Sequence, residues 1–136
     1  MNDLLYGDLT STILGCYHRV FFTCSSHGLS EESLTKALMI ELKKAGLRYR
    51  EQVPVNHRYE EHKIGTGRID LLVESKVVLE LKTLDTLRRK DQARLQAYLR
   101  DGGYAVGLLL NFGSEGPQFK RIFDPTHAPK PGEPAG

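Results

Sequence analysis

Between residues 9 and 24 apolar residues recur at Leu9, Ile13, Cys16, Tyr17, Val20, Phe21 and Cys24. Steps of three and four residues match the turn of an α-helix, so this stretch predicts a helix with one buried stripe. His18 falls off the stripe, at its rim. Ser25-Ser26-His27-Gly28 then breaks the pattern. Ser30 offers an N-cap for a second helix, with Glu31 and Glu32 in the first turn, where carboxylates offset the helix dipole. Leu34, Leu38, Leu42 and Ala45 form its buried stripe. Lys43 and Lys44 suit its last turn, and Gly46 ends it.

After Gly46 the pattern shortens to alternation. Residues 47–55 predict a strand, with Pro54 limiting its pairing. Residues 58–64 predict a short second strand on an edge or bend, with Arg58, Glu60, Glu61, His62 and Lys63 as a solvated face. Gly65-Thr66-Gly67 predicts a turn, and no helix follows it as a phosphate loop would require. Two apolar runs come next, 69–73 and 76–82. They flank Glu74-Ser75 and read as a hairpin. A basic loop, 83–89, leads into a third helix that ends at Asp101 before Gly102-Gly103. Residues 104–111 predict a strongly apolar strand. Strand, helix, strand at this length implies a right-handed parallel crossover. Residues 118–123 predict a last strand. The remainder, 124–136, holds four prolines and two glycines with almost no apolar content, and reads as a disordered tail to a domain spanning 1–123. The order of elements implies an α/β fold, a mixed sheet flanked by helices.

A chain of 136 residues, 40% hydrophobic and 26% charged, suits one globular domain. The net charge of +2 permits nucleic-acid binding without requiring it. No apolar run reaches membrane-spanning length, and the first ten residues lack the pattern of a signal peptide, so a cytoplasmic location is expected. On one helix Cys16 and Cys24 would stand about 12 Å apart, too far for a disulfide, and free thiols are expected.

The chemistry concentrates in RIDLLVESKVVLELK, residues 68–82. Alternation puts Val77, Leu79 and Leu81 on one strand face and Val78, Glu80 and Lys82 on the other. Glu80 and Lys82 then stand roughly 7 Å apart along the strand, and the hairpin can bring Asp70 beside them. Buried carboxylates are costly unless they are paired or bind metal. Hard cations such as Mg²⁺ favour carboxylate oxygens, and a neighbouring lysine could orient a water or offset charge on a phosphate. An ion-paired, solvated strand face is the competing reading of the same residues.

Asp70, nine residues, then Glu80-Leu81-Lys82 resembles the core signature of the PD-(D/E)XK nuclease superfamily. GLSEESL at 28–34, EQVPV at 51–55, IDLLV at 69–73, LELK at 79–82, AYLR at 97–100 and VGLLLNFG at 106–113 resemble, in that order, its GxxExxY family. Leu34 stands where that family's tyrosine would be. The resemblance implies a restriction-endonuclease-like fold and hydrolysis of nucleic-acid phosphodiester bonds with Mg²⁺ or Mn²⁺. It implies Asp70, Glu80 and the Leu81 carbonyl as metal ligands, Glu31 as an outer or second-metal ligand, and Lys82 as the catalytic lysine. A non-catalytic nucleic-acid- or protein-binding module on the same fold is the alternative.

Several residues keep two readings. Glu31 either compensates the helix dipole or joins the metal site. Arg88, Arg89 and Lys90 either contact nucleic-acid backbone or solvate a helix. Related nucleases often carry Q-x₃-Y on the helix after the E-x-K strand. With Tyr98 as the tyrosine, Arg94 takes the glutamine position. It points towards the carboxylates, or it faces solvent while Gln92 or Gln96 does that work. His57 and His62 read as exposed residues in a polar segment.

Overall fold

The computed structural model describes residues 4–24 and 27–130. Helix α1 runs Gly7–Cys24 and α2 runs Glu31–Lys44. The Ser30 side chain caps α2 by accepting from the Ser33 backbone N–H at 3.1 Å, a contact worth about 1 kcal/mol. Of the break expected at 25–28, residues 25 and 26 lie outside the described residues. Strands β1 (Tyr49–Tyr59), β2 (His62–Val73) and β3 (Val77–Lys82) follow, then α3 (Arg89–Gly102), β4 (Val106–Asn111) and β5 (Gln118–Phe123). Gly103, at φ 82°, closes α3 in the left-handed conformation.

The sheet order is β1-β2-β3-β4-β5. All neighbours are antiparallel except β3 and β4, which are parallel across α3. This is the mixed sheet flanked by helices that the order of elements implies. β3 is central, and five of its six residues are buried. Its alternation holds. Val77, Leu79 and Leu81 pack with Ile13, Tyr17, Leu38 and Leu42 beneath α1 and α2, while Val78 packs with Leu95, Tyr98 and Leu99 of α3.

Two expectations are corrected here. The strand at 58–64 and the turn at Gly65-Thr66-Gly67 do not form. β1 and β2 make one long hairpin that reverses at Glu60 and Glu61, with φ 48° and 67°. Neither is a glycine or asparagine, the residues that usually announce such a turn. Gly65 and Gly67 instead lie inside β2. A Cβ on Gly67 would stand 2.4 Å from the Tyr98 ring, so that glycine admits a helix side chain to the sheet. The Glu74-Ser75 turn does form, with φ 53° and 56°.

The second correction concerns the C-terminal segment. Structure does not stop at Asp124. Asp124 is buried, its N–H donates to the Ala105 carbonyl at 2.7 Å, and a 3₁₀ turn follows at Pro125–His127. Ala128 packs against the main core. Residues 131–136 lie outside the described residues.

The hairpin also turns over along its length. Leu71 and Val73 pack on the α1/α2 side, yet Ile69 packs on the α3 side. Residues two apart on a regular strand share a face. The change falls at Asp70, across from Gln52, whose φ of 51° is left-handed. Asp70 therefore sits where β2 crosses between the layers.

Candidate active site

β2 and β3 pair at Val73↔Val77, Leu72↔Val78 and Leu71↔Leu79, and the ladder then stops. Side chains replace it. The Asp70 N–H donates to Glu80 Oε1 at 3.1 Å, and the Leu81 N–H donates to Asp70 Oδ2 at 2.8 Å. Two carboxylates thus fill the place of two ladder carbonyls, each with a second oxygen to spare. The Leu81 carbonyl leaves the same strand edge as its N–H, towards Asp70. Glu80 is only 5% exposed.

Burial is the main cause that pushes both acids upward. Glu80 reaches about 8, with the Asp70 charge adding to burial. Asp70 is also raised by burial, against the Leu81 N–H and the charges of Lys82 and Arg94. Glu31 is raised by burial first and the Asp70 charge second, while Lys82 works against both. Glu31, Thr35, Glu51, Gln52 and Asp70 line one cleft of about 400 Å³. The start of α2 therefore faces Asp70, as well as offering its dipole to Glu31. Among the described residues, no three His, Cys, Asp or Glu side chains stand close enough to share one metal ion. Glu31 thus faces Asp70 without completing a three-acid cluster.

The α3 side supplies the cations. Lys82 Nζ lies 3.9 Å from Asp91 Oδ1. Asp91 is 4% exposed and is held by Arg88, whose backbone N–H, Nε and Nη2 donate to it at 2.9, 3.0 and 3.0 Å. Those Arg88 bonds hold the Asp91 carboxyl below its ordinary range. Arg88 is therefore engaged, whereas Arg89 and Lys90 are exposed in the first turn of α3. Arg94 donates through Nε and Nη2 to the Tyr98 hydroxyl at 3.3 and 3.0 Å, and its charge reaches Asp70 and Glu80. Arg94 is itself exposed, and these bonds tie it along its own helix. Tyr98 is buried, and Gln92 is half-buried with no side-chain hydrogen bond among the described residues.

Three features of the site were not singled out from sequence. Asp91 pairs with Lys82, but within RRKDQ it reads as a helix-start acid. The backbone of Gln52 has no signature in its residue type. Asn111 did have a signal, an amide ending the apolar run VGLLLN. It is fully buried and pins the loop after Lys82, accepting from Leu84 N–H at 2.9 Å and donating to the Leu84 carbonyl at 2.8 Å.

A family model described as the PD-(D/E)XK nuclease superfamily matches residues 7–122, a span that includes every element from α1 to most of β5. The chain belongs to that superfamily. Its fold is similar to that in the crystal structure of SSO0001, with a TM-score of 0.56 and 20% sequence identity. The match covers 70% of this chain and 50% of that one, so the chain spans half the length of SSO0001. No curated protein matches the chain significantly. Among the described residues, no helix is long and apolar enough to cross a membrane.

Proposed function

We propose that this chain is a Mg²⁺- or Mn²⁺-dependent nuclease of the GxxExxY family, hydrolysing phosphodiester bonds of DNA or RNA. The observation that carries the reading is the meeting of Asp70 and Glu80, both pushed towards protonation, beside Lys82 and Arg94. Two buried acids that repel one another need a counter-charge, and a divalent cation relieves both costs. The donor set is all oxygen, two carboxylates and the Leu81 carbonyl, which suits a hard cation. Bound there, the ion would polarise a phosphoryl oxygen and acidify a coordinated water.

The chain's own residues do the rest. Lys82, steadied by Asp91, orients the attacking water and offsets charge growing on the phosphate. Glu31 acts from the cleft as an outer ligand or for a second ion. Arg94 clamps a phosphate oxygen through its planar guanidinium. Arg89 and Lys90 contact the nucleic-acid backbone. Arg88 contributes through Asp91 instead.

One observation favours the second reading, a module that binds nucleic acid or protein without cleaving it. Arg94 adds a second cation to the group of Glu31, Asp70, Glu80 and Lys82, which raises its formal net charge from −2 to −1 and weakens its attraction for metal. A cleavage assay on single-stranded, duplex and structured DNA and RNA, with Mg²⁺ or Mn²⁺, separates the two. Metal-dependent cleavage that vanishes with EDTA supports the nuclease. Binding without cleavage across all substrates supports the module.

A further inference from the structure

A second polar cluster on the α3 side takes no part in the chemistry above. His57 of β1 lies with Nδ1 2.7 Å from Asp101 Oδ2, in the last turn of α3. Asp101 also accepts from Arg100 Nε at 3.0 Å and Nη2 at 3.1 Å. The Arg100 bonds, with the His57 bond behind them, hold its carboxyl below the ordinary range. An ionised carboxylate on Nδ1 fixes the ring with a proton on that nitrogen and leaves Nε2 turned away. Nε2 has no hydrogen-bond partner among the described residues, and the His57 side chain is 24% exposed.

The cluster connects to the carboxylates along one helix face. Tyr98 places its ring beside His57, with centroids 5.4 Å apart, and its hydroxyl receives Arg94. Arg94, Tyr98 and Asp101 recur at steps of four and three, so they share a face. From Arg94 to Asp101 is about 10 Å along the helix. A nucleic-acid strand in a helix advances about 3.4 Å per nucleotide. His57 and the Arg94 guanidinium lie 5.4 and 5.6 Å from the centre of the same Tyr98 ring, so His57 stands within about three nucleotides of a phosphate held at Arg94.

We propose that His57, oriented by Asp101, is a second phosphate contact, gripping the sugar–phosphate backbone within about three nucleotides of the scissile bond. In its protonated form the ring offers Nε2–H to a phosphate oxygen, while Asp101 supports the charge from behind. The register of this contact rests on the nuclease reading, but its test needs no cleavage. The competing role is a staple that only ties β1 to α3.

The test is fluorescence anisotropy in EDTA, with labelled oligothymidylates of two, four, six and eight nucleotides. Wild-type affinity is expected to rise once the strand spans Arg94 and His57. His57→Gln keeps a donor for Asp101 and is expected to lose roughly tenfold in affinity for the longest strand, with little loss for the dinucleotide and an unchanged Tm. Asp101→Asn, which frees the ring, should show the same dependence on length. Equal affinity in wild type and His57→Gln overturns the proposal. So does a loss independent of length, which marks a staple, or a wild type that binds no strand. Cleavage by wild type tests the nuclease reading separately. A wild type that cuts, with His57→Gln binding normally, keeps the nuclease and removes the subsite. Binding that depends on His57 without any cleavage keeps the subsite and removes the nuclease.

Discussion

Glu80 shows at the residue scale what the site costs the fold. Its folded pKa, about 8, lies above the ordinary 4.5, so the folded state keeps a proton that the unfolded chain releases. Its contribution to stability is whole below about pH 4.5 and is lost as pH rises to about 8, an effect on the order of a few kcal/mol. Without metal, Glu80→Gln should therefore melt several degrees above wild type at pH 8.5, with the gap closing towards pH 5. A gap that does not change with pH would contradict this. Lys82→Met should keep or tighten Mg²⁺ binding, since a nearby positive charge is removed, yet lower turnover by at least ~10². Unchanged turnover would make the lysine structural. Arg94→Gln should tighten Mg²⁺ binding, measured by calorimetry, and weaken nucleic-acid binding if Arg94 clamps phosphate. Tighter Mg²⁺ binding with a gain of cleavage would mean that Arg94 silences the site, and no change in either would leave it a surface residue. The nearness of Asp70, Glu80 and Lys82 was legible from sequence because β2 and β3 form the expected hairpin and alternation along β3 is strict. Asp91 was not, because its partner Lys82 lies across a loop whose path only the fold fixes, through Asn111.

Among the elements, the helices and the Glu74-Ser75 turn announced themselves, and the β1–β2 turn did not. α2 follows from Ser30, its stripe and Gly46, and the parallel pair around α3 follows from spacing. The β1–β2 turn misleads because Glu60 and Glu61 take left-handed backbone without the residues that favour it, while nearby glycines serve another purpose. Gly67 makes room for Tyr98, and so lets α3 lie close enough for Asp101 to reach His57. Gly67→Ala should cost about 1–3 kcal/mol in urea denaturation, because a buried ring must move. It should also weaken nucleic-acid binding by shifting α3. A variant as stable as wild type would show that Tyr98 has room to retreat. The turnover of the hairpin at Gln52 belongs to the same class of hidden feature, since its cause is backbone twist at a residue of ordinary type.

Across the whole molecule, two apolar clusters on opposite faces of one sheet hold the layers, and the carboxylates stand where β2 and β3 part between them. The C-terminal segment contributes to this packing more than its composition implies. Proline-rich composition hid the Asp124 bond to Ala105, which depends on where β4 begins. A chain ending at Phe123 should therefore melt several degrees below the full chain by calorimetry, and an equal Tm would show that the segment adds nothing. The central claim, a metal-dependent phosphodiesterase built on Asp70 and Glu80, is tested most directly by one comparison. Wild type, Asp70→Ala and Glu80→Ala would be incubated with labelled DNA and RNA substrates in Mg²⁺ or Mn²⁺, with folding checked by circular dichroism. Wild type is expected to cleave, and both substitutions to abolish cleavage while the fold persists. Cleavage that survives either substitution, or a folded wild type that cuts no substrate with either metal, would contradict it.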